Sequence, residues 1–122
     1  MSSVQDIEKA ITDYASLGLK VSITELDVTI RGDSGGQFGR GFERGRSRNS
    51  TPPTAADLKA QAEDYARLFS IFEKHKDAIE RVTFWGLNDG RTWRWGQHPL
   101  LLDANNKPKP AYAALVNKSS QD

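Results

Sequence analysis

Two carboxylates stand two residues apart in one extended stretch, Val21-Ser22-Ile23-Thr24-Glu25-Leu26-Asp27-Val28. A carboxylate can serve as a nucleophile, a general acid or a general base. Its neighbours here are β-branched and apolar residues that alternate with other types, which predicts a β-strand over 21–28. Period two puts Val21, Ile23, Glu25 and Asp27 on one face, with the carboxylates at its C-terminal end. An ionised carboxylate on a core-facing surface is costly unless it is paired or working. In parallel α/β proteins, sites are built where strands end. Glu25 is therefore the first candidate for chemistry. The plain alternative is a strand that runs out into solvent.

A second group lies between Trp85 and Trp95, where all three tryptophans fall within eleven residues. Asn88, Asp89, Arg91 and Arg94 stand among them. A single tryptophan usually fills a core. Three near one strand end, with polar neighbours, suggest flat faces for sugar rings, which are apolar above and below and polar at their edges.

The elements that must position these groups follow from periodicity. Val4, Ile7, Ile11 and Tyr14 or Ala15 recur at helical spacing, which predicts a helix over 4–17. Ser3 is its N-cap, with Asp6 three residues on and Gly18 as the stop. A long helix over 55–76 starts at the cap Thr54, with Asp57 in its first turn. Leu58, Ala62, Tyr65, Phe69 and Phe72 form its apolar stripe. His75, near its end, is expected at the surface. A second strand over 81–87 carries Val82, Thr83, Phe84 and Trp85 and ends at an Asp-Gly turn. A last short helix starts near Pro110, with Tyr112, Leu115 and Val116 as its apolar residues. Residues 31–53 form a long loop with six glycines between Gly32 and Gly45 and five arginines. Arginine, glycine and Phe38 and Phe42 together resemble a single-strand RNA-binding segment, but a solvated insertion between regular elements is the simpler reading.

The chain has 122 residues, 17 basic against 16 acidic, and no cysteine. That is one domain at most, with no pull toward nucleic acid or an anionic membrane and no disulfide or cysteine-based zinc site. With His75 and His98 the sole histidines, a multi-histidine metal site is not expected either. No run is long and apolar enough to span a bilayer. The first residues lack the pattern of a signal peptide.

Helix, strand, helix, strand, helix argues a parallel sheet built from βα units. Two parallel strands leave two open edges, and such a sheet needs cover on both faces. A full eightfold barrel takes about 250 residues. The pattern therefore suits either a portion of a barrel that docks on further strands or an assembly of several copies.

Three segments carry a resemblance. Thr24-Glu25-Leu26-Asp27 resembles the strand-seven "TELD" motif of family 10 glycoside hydrolases. Residues Trp85 to Trp93 resemble their strand-eight "WGxxDxxSW" motif, with Thr92 where serine is usual. Leu101-Leu102-Asp103 and Lys107-Pro108-Lys109-Pro110-Ala111-Tyr112 resemble their "LLFD…PKPAY" segment, with Leu102 in place of phenylalanine. The motifs occur in the family's order. The resemblance implies the C-terminal part of a (β/α)8 barrel, from the sixth helix to the last, in an endo-1,4-β-xylanase that needs no cofactor or metal. Residues 1–122 would then be a partial catalytic domain.

The same resemblance makes Glu25 the nucleophile of a retaining mechanism and Asp27 a residue behind it that holds the nucleophile's hydrogen-bond network. It gives Trp85 and Trp93 to the glycone-side sugar subsites, and Asn88 and Arg94 join them as substrate-binding candidates. Xylan or xylo-oligosaccharides are the implied ligands, the N-terminal barrel strands or further copies of the chain the implied partners, and the cell exterior the implied location. The family's acid/base glutamate and the histidine beside the nucleophile belong to upstream strands with no counterpart here. Of the other carboxylates only Asp89 is expected near Glu25, and no motif makes it an acid. The alternative is a non-catalytic carbohydrate-binding or self-associating barrel piece.

Overall fold

A computed structural model of the chain describes residues 3–30, 52–94 and 96–119. Nearly all of the glycine- and arginine-rich loop and Trp95 lie outside the described residues. The element order is α1 (Val4–Ser16), β1 (Val21–Leu26), α2 (Ala55–Lys74), β2 (Ile79–Phe84) and α3 (Pro110–Ser119). The βα alternation expected from periodicity is present, and β1 and β2 pair in parallel.

Both long helices begin as their caps predict. The Ser3 hydroxyl accepts from the Asp6 N–H while the Asp6 carboxylate accepts from the Ser3 N–H. Thr54 and Asp57 repeat the arrangement at α2. Each box satisfies two N–H groups that a helix start would otherwise leave without partners. Gly18, at φ 76, lets the chain turn out of α1 into β1.

The core lies between α2 and one face of the two strands. Tyr65, Leu68, Ile71 and Phe72 of α2 are buried, with Ile11 of α1, Ala111 of α3 and Val28. Val21, Ile23, Leu26, Ile79, Val82 and Phe84 pack against them from the sheet. Phe84 sits at the centre, with ring centroids 6.0 Å from both Tyr65 and Phe69. Leu68 and Ile71 are buried beyond the residues expected of the stripe, and α2 packs against Phe84 of the sheet and against α3. Of the apolar residues of α3, Tyr112 and Val116 are exposed, and Ala111 is fully buried in the core.

Five hydrogen bonds fasten the chain beyond the sheet. Gln61, buried on α2, donates from its amide to the carbonyls of Val28, at 2.8 Å, and His98, at 2.7 Å. The Tyr65 hydroxyl donates to the carbonyl of Pro99, and burial pushes its pKa well above the ordinary phenol value. Past β1, the N–H groups of Val28 and Ile30 donate to Pro99 and Gln97, so the chain continues beside 97–99. α2 thereby holds the segments that follow both strands.

His75 departs from the surface role expected of it. Its ring is half-buried, with Nε2 3.0 Å from Glu8 Oε1, and Lys74 Nζ reaches the same oxygen at 2.6 Å. The C-terminal end of α2 is thereby tied to α1. These bonds hold the Glu8 carboxyl below its ordinary pKa of 4.5, Lys74 acting most strongly and His75 next. With the folded value depressed, the unfolded chain binds more protons as pH falls through this range, so stability is lost on acidification. Glu8→Gln is expected to flatten the acid limb of a stability–pH curve below 4.5 while changing little of its neutral-pH shape. Chemical denaturation across that range checks it, and an unchanged acid limb would show that the tie contributes nothing.

Candidate active site

Glu25 does not continue the alternation that the sequence predicts. Val21 and Ile23 are half-buried and Ser22 and Thr24 are exposed, as period two requires. Glu25 then breaks the phase. It is exposed, its φ is 58, and the pairing register shifts between Ile23 and Leu26. Leu26 takes the inward place opposite Phe84. The expected shared face of Val21, Ile23, Glu25 and Asp27 is therefore corrected at its third member. The physical reason is desolvation: in phase, the carboxylate would lie among the side chains packed on α2. A bulge moves it off that face. A non-glycine residue with positive φ costs about 1–2 kcal/mol, and such strain is characteristic of functional positions.

β1 ends at Leu26, two residues earlier than predicted, and Asp27 lies just beyond. Asp27 Oδ2 accepts from Trp93 Nε1 at 3.1 Å and from Arg94 Nε at 3.1 Å. Asp27 Oδ1 is also 3.1 Å from Arg94 Nε. The Arg94 guanidinium lies over the Trp93 indole, 4.1 Å from the ring centroid. Among the described residues, then, the Asp27 carboxylate engages the tryptophan loop, with no bond to Glu25.

Trp85 follows the last residue of β2, and its N–H donates to the Leu26 carbonyl at 3.1 Å. That bond puts the start of the tryptophan loop level with the end of β1. Trp85 is 47% exposed and Trp93 61%. Gly86, at φ 136, makes the turn possible, since a Cβ there would meet Leu100 Cδ1 at 2.8 Å. Glu25, Asp27, Trp85, Trp93 and Arg94 thus all belong to the C-terminal end of the two strands.

Asn88 and Asp89 behave differently. Asn88 is buried. Its Nδ2 donates to Asn106 Oδ1 at 2.6 Å and its Oδ1 accepts from the Gly90 N–H at 3.0 Å. One arm of the amide is engaged within the turn and the other by Asn106, so Asn88 shapes the loop and offers a ligand little. Asp89, the carboxylate expected near Glu25, is also buried. Its Oδ1 accepts from the Leu100 N–H at 2.8 Å and its Oδ2 pairs with Lys109 Nζ at 2.8 Å. Lys109 also donates to the carbonyls of His98, at 2.8 Å, and Leu100, at 2.7 Å. All three ammonium hydrogens have acceptors. Burial pushes the Lys109 pKa down while Asp89 pulls it the other way. Asp89 is a structural pin between the tryptophan loop and the start of α3, and it is not placed to donate a proton to a substrate. Sequence reasoning missed Lys109. Its position in the Lys-Pro-Lys-Pro run was visible, but its burial depends on where residues 98–100 pass.

Carboxylate and exposed indoles at the C-terminal end of parallel strands are the placement expected of a sugar-processing barrel, and wider comparison agrees. The sequence profile of Glycosyl hydrolase family 10 matches residues 1–118. The chain belongs to glycosyl hydrolase family 10. An endo-1,4-β-xylanase of Geobacillus stearothermophilus is 36% identical over 126 residues, covering 94% of this chain and 34% of the relative. Among solved structures, a family 10 xylanase from termite gut that contains a bacterial Ig-like domain superposes with TM-score 0.77 at 34% identity. It covers 98% of this chain and 26% of that one. A mutant protein in complex with xylotriose gives TM-score 0.75 at 34% identity, covering 93% and 34%. The fold is a portion of a family 10 (β/α)8 barrel, and the chain spans about a third of the length of that Geobacillus relative.

The Asp89–Lys109 pair makes a direct prediction. Lys109→Met leaves a buried carboxylate without its cation and is expected to destabilise the fold by roughly 3–5 kcal/mol. Pairing it with Asp89→Leu is expected to restore part of that loss. Denaturant titration of the single and double variants checks both, and additive losses in the double variant would contradict the pairing.

Proposed function

We propose that this chain supplies the nucleophile and the glycone-side sugar platform of a retaining endo-1,4-β-xylanase, and that it works when the remaining barrel strands complete it. The observation that carries the reading is Glu25, displaced out of the strand's alternation to the exposed C-terminal end, next to the bond that aligns Trp85 with β1. Family membership and the xylotriose-bound relative support the substrate class.

In this reading the Glu25 carboxylate attacks the anomeric carbon of a xylose unit and forms a covalent glycosyl ester. The leaving oxygen takes a proton from a second carboxyl. Water, activated by that same second group, then releases the sugar with retained configuration. The two carboxyls must stand about 5–5.5 Å apart. Among the described residues Asp89 is engaged by Lys109, Glu63 and Glu73 belong to α2, and Glu80 lies near the start of β2. Glu43 lies outside the described residues. As the family resemblance implies, the proposal gives the acid/base to the complementing strands. Trp85 and Trp93 present indole surface to the sugar and Arg94 a guanidinium to its hydroxyls. As part of the same proposal, the completed enzyme acts on xylan outside the cell.

The exposed indoles also suit the second reading, in which the chain binds xylo-oligosaccharides without turnover. Complementation separates the two. The chain is mixed with a polypeptide carrying the first six strands of the Geobacillus relative's barrel, and reducing sugar released from xylan is measured. Activity is expected in the mixture and in neither part alone. Glu25→Gln is expected to lower it by at least about a thousandfold, as loss of a nucleophile does. A folded complex that binds xylotriose yet releases no sugar would favour the binding-only reading.

A further inference from the structure

Asp27 does more in this structure than stand behind the nucleophile. Its carboxylate is largely enclosed, and both of its oxygens face the tryptophan loop. One oxygen accepts the Trp93 indole N–H and the Arg94 Nε–H together, and the second also lies 3.1 Å from Arg94 Nε. Arg94 in turn is stacked on Trp93, 4.1 Å from the ring centroid. These three contacts close a triangle between neighbouring residues on one loop and a residue just past the other strand. An indole held by a bond at its edge and a cation on one face has few ways to turn. Trp93 is nonetheless 61% exposed, so substantial ring surface still meets solvent.

We propose that Asp27 is a positioning residue for sugar binding: it joins Trp93 and Arg94 into one unit in which the guanidinium occupies one indole face and the opposite face receives the sugar ring. This rests on the sugar-platform reading above. Stacking a pyranose on an indole requires the ring plane to be set before the sugar arrives, because ordering an exposed side chain on binding costs affinity. The clamp sets that plane in advance. It also leaves the terminal nitrogens of Arg94 without another acceptor among the described residues, and therefore able to reach hydroxyls at the sugar's edge. The backbone N–H of Trp85 bonds to Leu26, one residue before Asp27, so the same strand end aligns both indoles.

The test uses the full chain labelled with 15N, its Trp93 indole N–H signal assigned by disappearance in Trp93→Phe, and xylotriose as the probe. Asp27→Leu keeps the bulk but offers no acceptor, so both the Trp93 indole N–H and the Arg94 Nε–H lose their partner. The expected result is a displaced, faster-exchanging Trp93 indole signal, an unmoved Trp85 signal, and xylotriose binding weakened roughly tenfold. A displaced Trp93 signal with xylotriose affinity within about twofold of the parent would overturn the proposal while leaving the sugar platform intact. No shift at any indole of the parent chain with xylotriose would sink the platform reading, and this proposal with it. If Asp27→Leu fails to fold, Asp27→Ala decides by the same two readouts, since it too removes both acceptor oxygens without touching Trp93 or Arg94.

Discussion

A carboxylate on a strand has to be paired, or kept out of the face that packs on a helix, and the functional end of this chain is arranged around that constraint. The three acidic residues concerned meet it in three ways. Glu25 leaves the packed face through a positive φ and a register shift, and Leu26 takes its place in the core. Asp27 stays close to the core and gives its oxygens to an indole and a guanidinium. Asp89 is buried outright and is neutralised by Lys109 and a backbone N–H. The first solution leaves a carboxylate with no partner among the described residues. The other two spend theirs on architecture.

Much of this was legible in the residues. Ser3 with Asp6 and Thr54 with Asp57 announce two helix starts, and the described structure has both capping boxes. The alternation of helices and strands, and the parallel pairing it implies, follow from hydrophobic period alone. The motifs around Glu25, Trp85 and Lys107 to Tyr112 indicated the family, which the profile match over residues 1–118 shows. Periodicity misled at Glu25, because a strict period of two has no place for a bulge, and the cost that produces the bulge arises only once α2 packs on the sheet. Position near a helix end misled at His75, whose partner Glu8 lies 67 residues away on another helix. Asn88 is a substrate-binding candidate by its company, yet it is buried and its amide is engaged by Asn106 in a distant turn. Long-range pairs of this kind leave no local trace in a sequence.

On the proposed function, the two-stranded sheet holds the site in part. Tyr65, Leu68 and Phe72 cover one face of β1 and β2, and Ser22, Thr24 and Thr83 on the strands are exposed. In a closed (β/α)8 barrel such positions line the interior and each strand has two neighbours. The chain spans 34% of the Geobacillus xylanase, and the division leaves Glu25 and the indoles on one side of it. On the proposed function, β1 and β2 supply the nucleophile and the sugar platform, and the second carboxyl of a retaining mechanism comes from another strand.

The central claim is that Glu25 is the nucleophile, and covalent trapping tests it most directly. The completed barrel is incubated with a 2-deoxy-2-fluoro xylobioside carrying a good leaving group, digested, and mapped by mass spectrometry. The account predicts one fluoro-xylobiosyl adduct, located on Glu25 and lost in Glu25→Gln. An adduct on another carboxylate, or an active complex that accumulates none, would contradict it.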